Sequence, residues 1–197
     1  MKLQSFLKQK PNDFFAYQIN DENLVSSHEK SNESHGFQKL GLTFEKALDL
    51  LIKALGEGNV KFDGDERLLY SRSSLSKGTL PSAIVKPISR QEVEIIIKIA
   101  NQYKLSVHPI STGKNWGYSD ANAVSDGQII LDLGRMNKIL EVNEKLGYIT
   151  LEPGVTQGQV YDYLQKNNIN LWMDATGAGP DTSIIGNTME RGFGHSP

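Results

Sequence analysis

The sequence predicts an α+β domain preceded by a polar arm, and three observations lead to this fold class. Short apolar runs that suit buried strands alternate with segments whose apolar residues recur at the three- and four-residue spacing of helices. Twelve of the 18 glycines lie in residues 111–197 and six in residues 1–110, which concentrates tight turns in the second half. Hydrophobic residues make up 38% of the 197 residues, enough for one large core or two small ones.

Composition excludes several classes of protein. The chain has 21 basic and 23 acidic side chains, and a net charge of −2 without a basic cluster gives no attraction to nucleic acid or acidic membranes. The absence of cysteine rules out disulfides and thiolate metal sites, and His28 and His35 match no zinc signature. No apolar stretch could span a bilayer, and the first residues lack the apolar core of a secretory signal. We therefore expect a cytoplasmic protein with no metal, nucleic-acid or membrane partner.

The chain divides into three segments. Residues 1–40 are polar and poorly periodic, and we expect them to form a loosely ordered N-terminal arm. Residues 41–78 form a lead-in helical segment: a helix begins near Thr43 and stops at Gly56, followed by a short strand at 60–62 and a short helix at 65–71. Residues 79–197 form the main domain.

The main domain alternates strands and helices. Its predicted elements begin with a strand at 83–85, a helix that runs from a capping box of Ser89 and Glu92 to Tyr103, and strands at 105–110 and 128–133. A hairpin of 139–142 with 148–151 follows, and then a helix that runs from a cap of Thr156 and Gln159 to Lys166. A short strand at 171–173 and a helix at 183–191 complete the prediction.

Two glycine-containing loops are candidates for anion binding. Residues 109–118 directly follow a strand, and their turn offers backbone N–H groups to a phosphate, although the same composition suits an ordinary solvent loop. The glycine spacing is neither that of a Walker A loop nor that of a Rossmann loop. Residues 177–187 enter a helix whose N-cap would be Thr182 or Ser183, where free N–H groups favour an anion. Together the two loops suit a dinucleotide pyrophosphate.

Four blocks of sequence then resemble the flavin-binding domain of the vanillyl-alcohol oxidase/p-cresol methylhydroxylase family. They are residues 111–118, 131–137, 152–156 and 186–194, and the likeness extends in consistent order over about residues 60–197. The resemblance implies that residues 79–197 are a PCMH-type FAD-binding domain of two α+β subdomains, the second incomplete. It also implies a cap domain, which is missing from these residues.

The resemblance assigns FAD as the cofactor and gives roles to single residues. Those that would wrap the pyrophosphate are Ser111, Thr112, Gly113, Lys114 and Asn115. Those that would line the other side, near the isoalloxazine, are Pro180, Ser183, Gly186, Asn187, Arg191, Gly192 and Gly194. Tyr118 aligns with a tyrosine that contacts phenolate in phenol-oxidising members, and we predict it to contact the cofactor site as well. The candidate catalytic residues are Tyr118, His195 and Asp181.

The implied reaction is hydride transfer from an alcohol or a phenol-like small molecule to flavin N5, with reoxidation by oxygen or another electron acceptor. Two residues depart from the family pattern. Asn115 stands where one branch tethers the flavin through histidine, and an amide cannot form that bond. His195 stands where phenol-oxidising members usually have tyrosine.

Two alternatives stay open at this point. The chain could be a non-catalytic nucleotide-binding remnant, or an electron-transfer flavin subunit that needs a partner chain. Because the sequence stops in loop-type residues at 192–197, we expect a truncated domain that lacks its cap domain or a complementary chain. Exposed sheet edges and an open cleft should then leave these 197 residues with weak FAD binding and no turnover.

Overall fold

The computed structural model describes residues 30–74, 78–114, 120–174, 179–189 and 192, with side chains described from residue 43 onward. In chain order the elements are α1 (Lys30–Leu55), a 3₁₀-helix (Glu57–Asn59), β1 (Val60–Lys61), α2 (Gly64–Tyr70), β2 (Ala83–Val85), α3 (Arg90–Tyr103), β3 (Val107–Ile110), β4 (Ile129–Asp132), β5 (Ile139–Asn143), β6 (Tyr148–Leu151), α4 (Gln157–Lys166) and α5 (Ile184–Met189). This mixture confirms the predicted α+β class.

A four-stranded sheet organises the first part of the fold. Its strand order is β1-β2-β4-β3, with β2, β4 and β3 parallel and β1 antiparallel to β2. Ile110 at the end of β3 is paired with Asp132 at the end of β4, and Leu133 N donates to Ile110 O at 2.9 Å just beyond. Because parallel strands end at the same edge of a sheet, the loops that follow β3 and β4 begin side by side.

The central strands β2 and β4 are buried on both faces, as their apolar runs require. One face of the sheet packs against the inner sides of α1 and α3, where the largest cluster of buried residues includes Leu48, Leu51, Val85, Ile96 and Ile129. The opposite face carries a smaller cluster of Ile84, Ile110, Ala123 and Ile130. The carboxyl ends of β2 and β4 are therefore supported by apolar packing on both faces of the sheet.

A second, smaller core lies between the β5–β6 hairpin and α4. Val155, Val160 and Leu164 are buried there against apolar residues of the hairpin and of the segment after α4. The capping box that begins α4 is the predicted one: Gln159 N donates to Thr156 Oγ1 at 3.2 Å, and Thr156 N donates to Gln159 Oε1 at 3.0 Å. Both bonds satisfy amides that the helix itself leaves unpaired.

The structure corrects two of the predicted elements. The helix start at Thr43 was wrong, because α1 begins at Lys30 and its first turns carry no apolar face that could mark them in the sequence. The strand at 171–173 was also wrong. Leu171 and Met173 pack on the second core while Trp172 is 74% exposed, so the alternation is strand-like, but these residues pair with no strand in the described part of the chain.

The remaining predicted elements are present, with ends that shift by no more than two residues wherever the structure describes them. One cap differs in detail: Ser89 Oγ accepts from Glu92 N as predicted, but Glu92 Oε2 accepts from Ile88 N, one residue before the N-cap. Residues 1–29 of the predicted arm lie outside the described residues. Among the helices that the structure describes, none combines the length and the apolarity needed to cross a bilayer.

Candidate functional site

A cleft of about 250 Å³ lies at the carboxyl edge of the four-stranded sheet. The end of β3 and the loop that follows it contribute residues 108–114, and the segment that enters and forms α5 contributes residues 182, 183, 185–187 and 189. Asp120, Leu133 and Pro153 complete the described lining. The two loops that the sequence singled out for anion binding therefore border the same cavity, at the edge where ligands of parallel sheets commonly bind.

Gly186 brings these two loops into close contact. A Cβ atom placed on Gly186 would lie 3.3 Å from Ser111 Oγ and 2.6 Å from Ser183 Oγ. Ser183 Oγ is already occupied as the N-cap of α5, because it accepts a hydrogen bond from Gly186 N at 2.7 Å. A side chain at position 186 would displace this cap and push against the first loop, so the approach requires glycine.

The other two blocks of the family resemblance converge on the same place. Gly134 lies beside Ser111, since a Cβ on Gly134 would be 3.3 Å from Ser111 O. Gly154 lies against the backbone of residues 133–134, since a Cβ on Gly154 would be 2.6 Å from Leu133 O and 2.7 Å from Gly134 O. All four blocks, distant in sequence, thus meet around the first loop.

The turn after β4 is fixed by the carboxylate of Asp132. Tyr70 on α2 donates its hydroxyl hydrogen to Asp132 Oδ2 at 2.5 Å, and Gly134 N donates to Asp132 Oδ1 at 2.9 Å. Burial, and then the hydrogen bond to Asp132, raise the pKa of Tyr70 above its usual value, so the phenol remains a donor. One side chain therefore links α2, β4 and the turn that supports Ser111.

The second loop is attached to the start of α4 by main-chain hydrogen bonds. Gln157 N donates to Thr182 O and Gly158 N donates to Pro180 O, both at 2.9 Å, while Ile184 N donates to Val155 O at 3.1 Å. The first amides of a helix have no partner within the helix, and here the second loop supplies acceptors for two of them. The loop is consequently held by backbone contacts that do not depend on its side-chain sequence.

Two adjacent hydroxyl residues of the second loop are almost fully buried. Thr182 is 3% exposed and Ser183 is 2% exposed. Ser183 caps α5, whereas Thr182 Oγ1 has no hydrogen-bond partner within the part of the chain that the structure describes. A buried hydroxyl that has lost its water and gained no partner destabilises a protein by about 1–3 kcal/mol.

The far end of the first loop is fastened to the segment after α2. Asn122 is 3% exposed. Its Oδ1 accepts a hydrogen bond from Thr79 N at 2.8 Å, and its Nδ2 donates to Tyr70 O and Thr79 O, both at 3.1 Å. Asp120, which lines the cleft, accepts from Ser74 N at 2.8 Å. Both residues hold the chain on the return side of the first loop.

The structure brings about half of the predicted site residues to the cleft. Those that line it are Ser111, Thr112, Gly113, Lys114, Ser183, Gly186 and Asn187. Pro180 and Asp181 lie in an exposed turn outside the described lining. Gly192 is also exposed and outside this lining, and its N donates to Asn187 O at 2.7 Å. Five predicted site residues lie outside the described residues: Asn115, Tyr118, Arg191, Gly194 and His195.

Several lining residues were not named singly as cofactor or catalytic residues, although most of them lie in the two candidate loops or in the family blocks. They are His108, Pro109, Ile110, Asp120, Leu133, Pro153, Thr182, Ile185 and Met189. The position of Leu133 could have been inferred, because it follows a strand parallel to β3 and so emerges at the same edge. Pro153 and Met189 lie in family blocks, but their place in the cleft depends on tertiary packing.

Comparison with known proteins identifies the family of the domain that contains this cleft. A family profile for an FAD binding domain matches residues 81–196, more than half of the chain. The chain belongs to the FAD binding domain family. The matched range begins just before β2 in the sequence, and it includes every strand from β2 to β6 and both loops that form the cleft.

This FAD binding domain is similar in sequence and structure to p-cresol methylhydroxylase and related proteins. The 4-cresol dehydrogenase [hydroxylating] flavoprotein subunit of Pseudomonas putida is 38% identical over 157 residues, 78% of this chain and 30% of that protein. The 1'-carboxy-chondrochloren decarboxylase of Chondromyces crocatus is 41% identical over 150 residues, 76% of this chain and 28% of that protein. A crystal structure of p-cresol methylhydroxylase with substrate bound superposes with a TM-score of 0.74 at 37% identity, covering 76% of this chain and 30% of that one.

These comparisons confirm the resemblance, the PCMH-type fold and FAD as the cofactor of this domain. The chain spans about 30% of the length of these relatives, and corresponds to their N-terminal FAD-binding part. Domains of this kind belong to flavin-dependent oxidoreductases.

The residues of the cleft fit part of FAD. Its volume of about 250 Å³ is below the roughly 300–1,000 Å³ of pockets that enclose a whole drug-sized ligand, so the described lining would surround one portion of a dinucleotide. The small residues at 111, 113 and 186 leave the backbone accessible, and the unpaired Thr182 hydroxyl offers a donor. Lys114 and Asp120 give the lining one side chain of each charge. Because α5 has only six residues, we assign no separate anion site to its N-terminus.

Proposed function

We propose that this chain is the FAD-binding part of an oxidoreductase that removes a hydride from an alcohol or phenol-like substrate. The contact between Gly186 and Ser111 carries the proposal, because it joins the two family loops into one small-residue cleft at the end of parallel strands. The substrate class is supported by the relative named as a 4-cresol dehydrogenase. Bound FAD would supply the hydride acceptor, flavin N5.

The chain's own residues would bind and orient this cofactor. The amides of residues 111–114 would face the pyrophosphate, and the absence of a side chain at Gly186 would let the cofactor approach the second loop. The attachment of the second loop to α4 would keep both walls of the cleft at a fixed separation. We keep Asn115, Arg191 and Gly194 as proposed cofactor contacts.

The residues that would meet the substrate are Tyr118, His195 and Asp181. A tyrosine hydroxyl can donate to a substrate oxygen, and histidine changes its protonation near neutral pH, so either suits proton movement from an alcohol or phenol. Asp181 is exposed in the turn that precedes Thr182, where a carboxylate could be covered by a further domain. We propose that a cap domain, carried on a further segment or a complementary chain, completes the substrate side.

A second candidate function is that of an electron-transfer flavin subunit. It is favoured by one observation, since the Pseudomonas putida relative is described as a flavoprotein subunit. In this version, reduced FAD would pass electrons to a partner chain rather than to oxygen. The relative named as a decarboxylase shows that names within the family cover more than one reaction, so the reaction must be measured.

Cofactor binding is tested by equilibrium dialysis of the 197-residue chain against FAD, with absorbance near 450 nm as the readout. We expect saturable binding of one FAD per chain, weak because the cleft is open. Riboflavin is the matched control ligand, since it has the isoalloxazine and lacks the pyrophosphate, and it should bind more weakly. Equal retention of FAD and riboflavin, or no saturation by FAD, would contradict the proposed role of the two loops.

The reaction is tested by complementation. The chain is mixed with FAD and with a separately expressed polypeptide that corresponds to the remaining part of the Pseudomonas putida 4-cresol dehydrogenase flavoprotein subunit. Anaerobic addition of 4-cresol should bleach the flavin absorbance only when both polypeptides are present. Return of the flavin absorbance with an added electron carrier, but not with oxygen, would favour the electron-transfer subunit. FAD binding without bleaching by any alcohol or phenol would favour a non-catalytic remnant.

A further inference from the structure

Thr182 is a buried residue in the wall of the cleft. The residue is 3% exposed and belongs to the cleft lining, yet its Oγ1 finds no hydrogen-bond partner within the described ranges. Most buried polar side-chain atoms in proteins are hydrogen-bonded, because an unpaired one has given up its bonds to water without replacement. An exception of this kind at the wall of a ligand cleft calls for a physical explanation.

The backbone of Thr182 is fixed, which keeps the hydroxyl where it is. Thr182 N donates to Gly179 O at 3.2 Å, and Thr182 O accepts from Gln157 N at 2.9 Å. The next residue shows the contrast, since Ser183 Oγ accepts from Gly186 N at 2.7 Å and thereby caps α5. Of two adjacent buried hydroxyls, one caps a helix and the other has no hydrogen-bond partner in the described part of the chain.

We propose that the Thr182 hydroxyl is a cofactor-anchoring group that donates a hydrogen bond to an oxygen atom of bound FAD. The inference rests on the proposed FAD-binding role and adds to it one residue that the family blocks did not indicate. FAD carries phosphate, ribityl and carbonyl oxygens, each of which accepts a hydrogen bond. Binding would supply the partner that the free chain lacks, so the hydroxyl contributes to affinity and lowers the stability of the free chain.

The test is the substitution Thr182→Val, which keeps the shape of the side chain and removes the hydroxyl. Without FAD, the melting temperature of this variant should equal or exceed that of the parent chain, because an unpaired buried hydroxyl is removed. The dissociation constant for FAD should rise about tenfold, the value of one good hydrogen bond. Thr182→Ser keeps the hydroxyl and should retain FAD affinity within about threefold of the parent.

Thr188→Val provides a matched control on the same segment. Thr188 Oγ1 donates to Ile184 O at 2.9 Å within α5, and Thr188 is exposed and outside the cleft lining. This variant should bind FAD as the parent chain does. Dissociation constants are measured by flavin fluorescence quenching, and melting temperatures by circular dichroism.

Three outcomes overturn the assignment. Equal FAD affinity of the parent chain and Thr182→Val rejects the anchoring role and leaves the proposed function standing. A lower melting temperature of the variant without FAD shows that the hydroxyl has a structural partner. Failure of the parent chain itself to bind FAD rejects the proposed function, and the anchoring role with it.

Discussion

Gly186 packs against the side chain of Ser111, so closely that a Cβ atom on Gly186 would lie 3.3 Å from Ser111 Oγ. Ser111 begins the loop after β3, and Gly186 lies in the first turn of α5. The contact joins the first and the last of the family sequence blocks into a single wall. A methyl group at position 186 should therefore change the shape of the cleft.

Gly186→Ala should weaken FAD binding. The new methyl group would meet Ser183 Oγ at 2.6 Å, so the α5 cap must shift and the cleft must change shape. We expect the dissociation constant for FAD to rise about tenfold or more, equivalent to about 1.4 kcal/mol, in equilibrium dialysis. Gly58→Ala is the control, because a Cβ there meets nothing within 4 Å, and it should bind FAD normally. Unchanged FAD affinity of Gly186→Ala would show that the loop contact has no part in binding.

Gly154→Ala should destabilise the fold itself. Its Cβ would lie 2.6 Å from Leu133 O and 2.7 Å from Gly134 O, and backbone atoms cannot rotate aside as a side chain can. Overpacking of this kind lowers the free energy of unfolding by about 1–3 kcal/mol. Gly64→Ala in α2, where a Cβ has open space, should be neutral or slightly stabilising. Urea unfolding of both variants checks this, and equal midpoints would contradict the tight packing of Gly154.

Tyr70→Phe should lower stability because it removes the hydrogen bond to Asp132. A hydrogen bond to a charged group contributes about 1.5–3 kcal/mol, and of its hydrogen bonds within the described residues Asp132 would keep the one from Gly134 N. The loss should appear in urea unfolding at neutral pH. A variant as stable as the parent chain would mean that solvent replaces the bond at no cost.

The same pair gives stability a pH dependence. Burial and the bond to Asp132 raise the pKa of Tyr70 in the folded chain, whereas the unfolded chain ionises near pH 10. Below about pH 10 the phenol is protonated in both states and its contribution is complete. Above that value only the unfolded state ionises, so the free energy of unfolding falls with rising pH. The stability difference between parent and Tyr70→Phe should therefore shrink between about pH 9 and pH 11, and a constant difference would contradict the pKa shift.

Asn122→Ala should loosen the return side of the first loop. The substitution leaves Thr79 N and the carbonyls of Tyr70 and Thr79 without their buried partner. We expect a loss of about 1–3 kcal/mol, or a melting temperature lower by several degrees. Asn167→Ala is the control, because the exposed Asn167 side chain makes one hydrogen bond, to Tyr163 O. A similar small effect at both positions would argue against a structural role for Asn122.

The sequence predicted those parts of the fold that depend on local interactions. The capping box of Thr156 and Gln159 was read correctly because its two bonds span three residues. Strands β2 and β4 were found because both of their faces are buried, which leaves a short apolar run in each. The start of α1 was missed, since its first turns have no apolar stripe, and the strand at 171–173 was wrong because alternation does not supply a pairing partner.

The cleft could be predicted only in part, because local patterns do not determine contacts between distant segments. The two loops could be named from their glycines and hydroxyls, and their chemistry came from the family resemblance. Their contact at Ser111 and Gly186, the packing of Gly154 on the turn after β4 and the unpaired hydroxyl of Thr182 arise between segments far apart in sequence. No local pattern encodes such contacts, because they exist only once the sheet and α4 have brought the loops together.

The central claim, that both loops hold one FAD, is tested most directly by amide chemical-shift mapping of the chain during an FAD titration. Amides of residues 111–114 and 182–187 should shift together, with one dissociation constant, while those of the hairpin turn at 144–147 stay unchanged. Shifts confined to a single loop, or a titration that leaves both loops unperturbed, would contradict the account.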